Sequence, residues 1–90
     1  MLERKHFIFQ GQVQGVGFRI TCYRIATQLK LTGWVKNLSD GTVEACVQGE
    51  SIMIERLIGE LKQARFIHIE HFKAESMPIL EDEKSFALKY

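Results

Sequence analysis

The sequence predicts an α+β fold, an antiparallel sheet with two helices on one face. Two periodicities predict it. Apolar residues recur at helical spacing in two segments, at 18–29 and 54–61, and strand-like runs occupy five others. Glycine and Asp-Gly signals separate these segments.

Residues 5–12 read as a strand, because Phe7 and Phe9 alternate with His6, Ile8 and Gln10, and aromatics favour a pleated surface. Gly11, Gly15 and Gly17 end it and open a loop. Residues 19 to about 30 read as a helix, with Phe18, Cys22, Ile25, Ala26 and Leu29 on one face and Arg24, Gln28 and Lys30 between them. Residues 33–38 and 42–48 read as a hairpin, with Ser39-Asp40-Gly41 as its turn and Trp34, Val35, Thr42 and Val43 as flanking β-formers. Trp34 is expected in the core. Ser51 is placed to cap a second helix running to about residue 64, with Ile54, Leu57, Ile58 and Leu61 on its apolar face. Residues 66–73 read as a fourth strand, 75–84 as a surface loop, and 85–90 as a short fifth strand with Phe86 and Leu88 on one face. The order is β-α-β-β-α-β plus a short C-terminal strand, the pattern of a ferredoxin-like α/β sandwich. A length of 90 residues leaves no room for a second core, so one domain over residues 1–90 is expected.

Apolar residues make up 46% and charged residues 26%, which is ordinary for a globular chain and excludes intrinsic disorder. Twelve basic residues against eleven acidic ones give a net charge of +1, far below what neutralising many phosphates demands, so no nucleic-acid partner is expected. No stretch approaches the roughly 18 apolar residues of a membrane span, so no membrane partner is expected either. The N-terminal residues do not read as a secretory signal, and a cytoplasmic location follows as the expectation. Cys22 and Cys46 are too few for a disulfide framework and read as buried small hydrophobes. His68 and His71 are spaced to face opposite sides of a strand, so no metal site is expected there. Asp40 and Glu44 read as a turn and a strand residue, not as a catalytic carboxylate pair. No cofactor is expected.

The informative segment is Val13-Gln14-Gly15-Val16-Gly17-Phe18-Arg19, a two-glycine loop between a strand and a helix. The first N–H groups of a helix have no intrahelical partner, and the dipole there is positive. Glycines let successive N–H groups turn inward and let a ligand approach. Such a loop is an anion cradle, and Arg19 at its end has a planar fork that matches two phosphate oxygens at once. On the glycine pattern alone, the plainer reading is a tight strand-to-helix turn. The loop is not a dinucleotide fingerprint, since Ile20 stands where that needs glycine, and no Gly-Lys-Ser/Thr makes it a Walker loop.

A second constellation, Gly33-Trp34-Val35-Lys36-Asn37, is followed by Asp40-Gly41-Thr42-Val43-Glu44 and Gly49. With the loop, these motifs resemble the acylphosphatase family in sequence and in spacing, over about residues 11–49. The resemblance implies a ferredoxin-like sandwich that hydrolyses the carboxyl–phosphate bond of acyl phosphates without metal, releasing a carboxylate and inorganic phosphate. It implies that Arg19 binds the phosphoryl group together with the backbone amides of Gln14, Gly15, Val16, Gly17, Phe18 and Arg19, and that Asn37 orients the attacking water. The chain departs from the family pattern at Thr21, where an aromatic is common, at Lys30, where glycine often ends the first helix, and at Ser51, where proline is frequent. A monomer is expected.

Other readings compete: an anion-binding module that has lost turnover, an accessory domain of a larger carbamoyl-phosphate enzyme, and an RNA-binding ferredoxin-like domain. Asn37 weighs against the first, a chain that starts at Met1 without a linker against the second, and neutral charge against the third.

Overall fold

The computed structural model describes residues 1–90. In chain order the elements are β1 (Leu2–Gln12), α1 (Phe18–Gln28), β2 (Thr32–Asn37), β3 (Val43–Glu50), α2 (Ser51–Gln63), β4 (His68–Met77) and β5 (Phe86–Leu88). The strands form one sheet in the order β4-β1-β3-β2-β5, and both helices pack on it. The expected ferredoxin-like sandwich is the observed one.

Alternation sets which face is buried. Phe7 and Phe9 of β1, Val43, Ala45 and Val47 of β3, Val35 of β2 and Phe86 of β5 all join one core. The helices close it with Phe18, Cys22, Ile25 and Ala26 from α1 and Ile54, Leu57, Ile58 and Leu61 from α2. Burying a side chain of the Phe or Leu class contributes about 1.5–3 kcal/mol. Val13 and Phe18, both nearly inaccessible, bracket the glycine loop, and the Phe9 and Phe18 rings pack 5.1 Å apart. The loop is thus anchored in the core at both ends.

Several details differ from expectation. The sheet is mixed: three strand pairs are antiparallel, but β2 and β5 run parallel, with Gly33, Trp34 and Val35 opposite Phe86, Ala87 and Leu88. The last residues therefore run toward the Asn37 end of β2, where an antiparallel pairing would carry them away from it. Trp34 is not core; it lies on the face away from the helices, edge-on to His6, with the Lys89 ammonium 4.6 Å from its ring centre. Gly33 and Val35 take the inward positions instead. Ser51 is the first residue of α2 rather than its cap, and its N–H donates to the Met1 carbonyl at 2.9 Å. β4 starts after Phe66, which sits exposed at φ 73°, and it continues to Met77, three residues into the expected loop.

A bulge in β4 also alters the histidine spacing. His71 stands opposite Gln10 and His68 opposite Gln12, with Glu70 extra, so simple alternation does not separate the two histidines across the sheet. The cysteines are both free: Cys22 is in the core, and Cys46 stands opposite His6 and Trp34 on the other face. Burial pushes the Cys22 thiol up to about 12.

The face away from the helices is closed at one end by a polar clasp. The buried Arg4 donates to Glu83 at 2.6 Å and to Gln48 at 3.3 Å, and the Thr32 hydroxyl donates to the same Glu83 oxygen. Gln48 exchanges two hydrogen bonds with the Leu80 backbone, which pins the 78–85 connection over the sheet.

Candidate active site

The cleft of interest lies at the opposite end of β1 from that clasp. Its volume is about 250 Å³, and Gly15, Gly17, Arg19 and Asn37 line it with Ile20, Leu88 and Tyr90.

The glycine loop forms one wall. Gly15 has φ 73°, and Gly17 is the left-handed N-cap of α1 at φ 78°. A Cβ at Gly15 would meet nothing within 4 Å, so the backbone there is open to an approaching ligand. The residues next to these glycines point elsewhere: Val16, between them, packs against the core, and the side chain of Gln14, just before them, reaches the β2–β3 turn. No backbone N–H from Gln14 through Ile20 donates to a protein acceptor. No side chain caps α1, and no acidic residue stands in its first turn. A helix start with unpaired donors and no internal anion is arranged for an external one.

Arg19 rises from the first turn of α1. One of its Nη1 protons goes to the Lys89 carbonyl at 2.8 Å, and its guanidinium carbon lies 4.9 Å from the centre of the Tyr90 ring. Its other N–H groups donate to no protein acceptor and remain available for a bidentate contact.

Asn37, the last residue of β2, forms the facing wall. Its Oδ1 is buried and has no protein partner. Leaving such a group unpaired would cost about 1–3 kcal/mol, so this acceptor calls for a donor that the protein itself does not supply. The turn behind it is well made: Asp40 Oδ1 accepts from both the Thr42 N–H and the Thr42 hydroxyl, which holds the Asp40 carboxyl below its ordinary value.

Sequence motifs therefore bring Gly15, Gly17, Phe18, Arg19 and Asn37 to one cleft. Ile20, Leu88 and Tyr90 were not among the expected site residues. Ile20 carried a signal, as a large apolar residue outside the helical stripe. Leu88 and Tyr90 reach the cleft only because β5 is parallel to β2.

A sequence model of the acylphosphatase family matches residues 5–88. The chain belongs to the acylphosphatase family. An acylphosphatase of Clostridium beijerinckii is 42% identical over 84 residues, 92% of this chain and 93% of that one. The crystal structure of an acylphosphatase from Bacillus subtilis superposes with a TM-score of 0.90 at 33% identity, over 100% of both chains. The same architecture matches 12% of the much longer HypF chain of T. kodakarensis, with a TM-score of 0.84 at 35% identity over 100% of this chain. As an acylphosphatase this protein is a hydrolase, and small acyl phosphates are its substrate class. No helix of this acylphosphatase is long and apolar enough to cross a membrane.

Proposed function

We propose that the cleft hydrolyses acyl phosphates by direct attack of water on phosphorus, without metal, as a monomer in the cytoplasm formed by one domain over residues 1–90. The backbone N–H groups of residues 14–19 and the Arg19 fork hold the phosphoryl group, and Asn37 orients the water. The products are a carboxylate and inorganic phosphate. One observation carries the reading: Gly15, Gly17, Phe18 and Arg19, whose N–H groups have no protein acceptor, line a single cleft with the free side of the Arg19 fork and the unpartnered Asn37 amide.

The chemistry suits these groups. The leaving group is a carboxylate, a weak base, so no general acid is required, and no His or Glu lines the cleft. Phosphoryl transfer passes through a loose transition state, in which positioning and charge stabilisation do most of the work. One pre-aimed donor of this kind is worth about 2.7–4 kcal/mol of transition-state stabilisation. Asn37 suits the water site better than a carboxylate, because two like unit charges 4 Å apart repel by roughly 4 kcal/mol at an effective dielectric of 20. An amide is too weak a base to take the proton, so a phosphoryl oxygen of the substrate accepts it.

The test is hydrolysis of benzoyl phosphate by the purified protein with EDTA present, beside Arg19→Ala and Asn37→Ala. Turnover that survives chelation and collapses in both folded variants is the expected result. A folded wild type that binds phosphate without turnover would make the cleft an anion-binding module instead.

A further inference from the structure

Gln14 belongs to the glycine loop, yet its side chain does not line the cleft. Its Nε2 donates to two carbonyls at once, Leu38 at 2.7 Å and Thr42 at 2.8 Å. These carbonyls flank the β2–β3 turn, and Leu38 directly follows Asn37. The turn does not need Gln14 in order to close. The Leu38 N–H already donates to Thr42 O at 2.9 Å, the Gly41 N–H to Leu38 O at 3.2 Å, and Asp40 accepts from Thr42. What Gln14 adds is a fixed distance between loop and turn. β1 and β2 are not neighbours, because β3 lies between them. No other hydrogen bond joins residues 14–17 to the turn.

We infer that Gln14 is a positioning residue for hydrolysis: its side-chain amide holds Asn37 in register with the loop that receives the phosphoryl group. The inference rests on the proposed role of Asn37 in orienting water. It assigns Gln14 to the attack step and leaves phosphoryl binding to the loop backbone and Arg19. Two loosely connected walls would still bind phosphate, but the water would be held out of line.

Gln14→Met keeps the length of the side chain and removes both donors, and Gln14→Ala serves as a second variant. Each is assayed for kcat and KM with benzoyl phosphate, for inhibition by inorganic phosphate, and for melting temperature. A misplacement of about 1 Å costs on the order of 100-fold in rate, so kcat is expected to fall about 10–100-fold. Phosphate inhibition should stay unchanged. In an Asn37→Ala background the same substitution should cost almost nothing, because the group it positions is gone. An equal fold-loss in both backgrounds overturns the inference, as does phosphate inhibition weakening in step with kcat, or a lower melting temperature with kcat intact. Where Asn37→Ala turnover is too low to measure a further loss, the split between kcat and phosphate inhibition decides. Failure of the underlying reading looks different: Asn37→Ala would then retain wild-type kcat.

Discussion

The Arg19 guanidinium donates to the backbone carbonyl of Lys89 at 2.8 Å, so a residue of the first helix is aimed by a residue 70 positions later. The Tyr90 ring lies under the same cation, and the Lys89 ammonium rests on Trp34. The segment after β5 is thereby held on both sides of the sheet edge. A hydrogen bond to a charged group contributes about 1.5–3 kcal/mol. Deleting residues 89–90 should therefore lower kcat/KM for benzoyl phosphate by about 10–100-fold, at 1.4 kcal/mol per tenfold. Circular dichroism should show the fold retained.

Lys30 occupies the left-handed region at φ 60° just after α1. Its N–H donates to Thr27 O, and the Leu31 N–H donates to Ala26 O, the pair of bonds that usually favours glycine at this position. A side chain in that conformation costs about 1–2 kcal/mol. Lys30→Gly should raise the unfolding free energy by about 1 kcal/mol in urea titration, less than the full strain because glycine is freer in the unfolded chain. Activity should be unchanged.

The Arg4–Glu83 pair is nearly closed to solvent, with Arg4 5% and Glu83 16% exposed at the side chain. Removing one partner strands the other charge inside the protein. Glu83→Ala should destabilise by about 3–5 kcal/mol in denaturant unfolding. The clasp and the cleft lie at opposite ends of the sheet, so molecules that remain folded should keep the wild-type kcat.

Asp40 titrates below its ordinary value because Thr42 donates to its carboxylate through both hydroxyl and N–H. At acid pH the unfolded chain takes up this proton first, so stability is present above the ordinary Asp value of 3.8 and is lost as pH falls through the lower folded value. Urea midpoints measured from pH 6 to pH 2 should fall less steeply in Asp40→Asn than in the wild type.

The elements were legible where the signal is local. Phe7 and Phe9 mark β1, the stripe from Phe18 to Leu29 marks α1, and Asp40-Gly41 marks the turn. Trp34 misled because the buried face of β2 presents Gly33 and Val35, so one of its inward positions carries no side chain. The direction of β5 was unreadable for a different reason. A parallel pair has no tight turn joining its strands, and thus no short-range residue pattern that announces it. At the site, the glycines, Arg19 and Asn37 were visible as motif residues. The Gln14 side-chain bonds, Leu88 and Tyr90 were not, since each depends on which strands become neighbours.

The strand order β4-β1-β3-β2-β5 has a kinetic consequence. β1 is flanked by strands that begin at residues 43 and 68, and the sheet's two outer strands are the last two in the chain. The search for the native state must close long loops before β1 gains either neighbour, and that entropy is lost before the pairing rewards it. Refolding should accordingly take milliseconds to seconds, as it does for small domains dominated by non-local pairing, and not the microseconds typical of helical bundles. Until that closure β1 keeps both of its hydrogen-bonding edges open, so refolding at high concentration should lose material to association between chains.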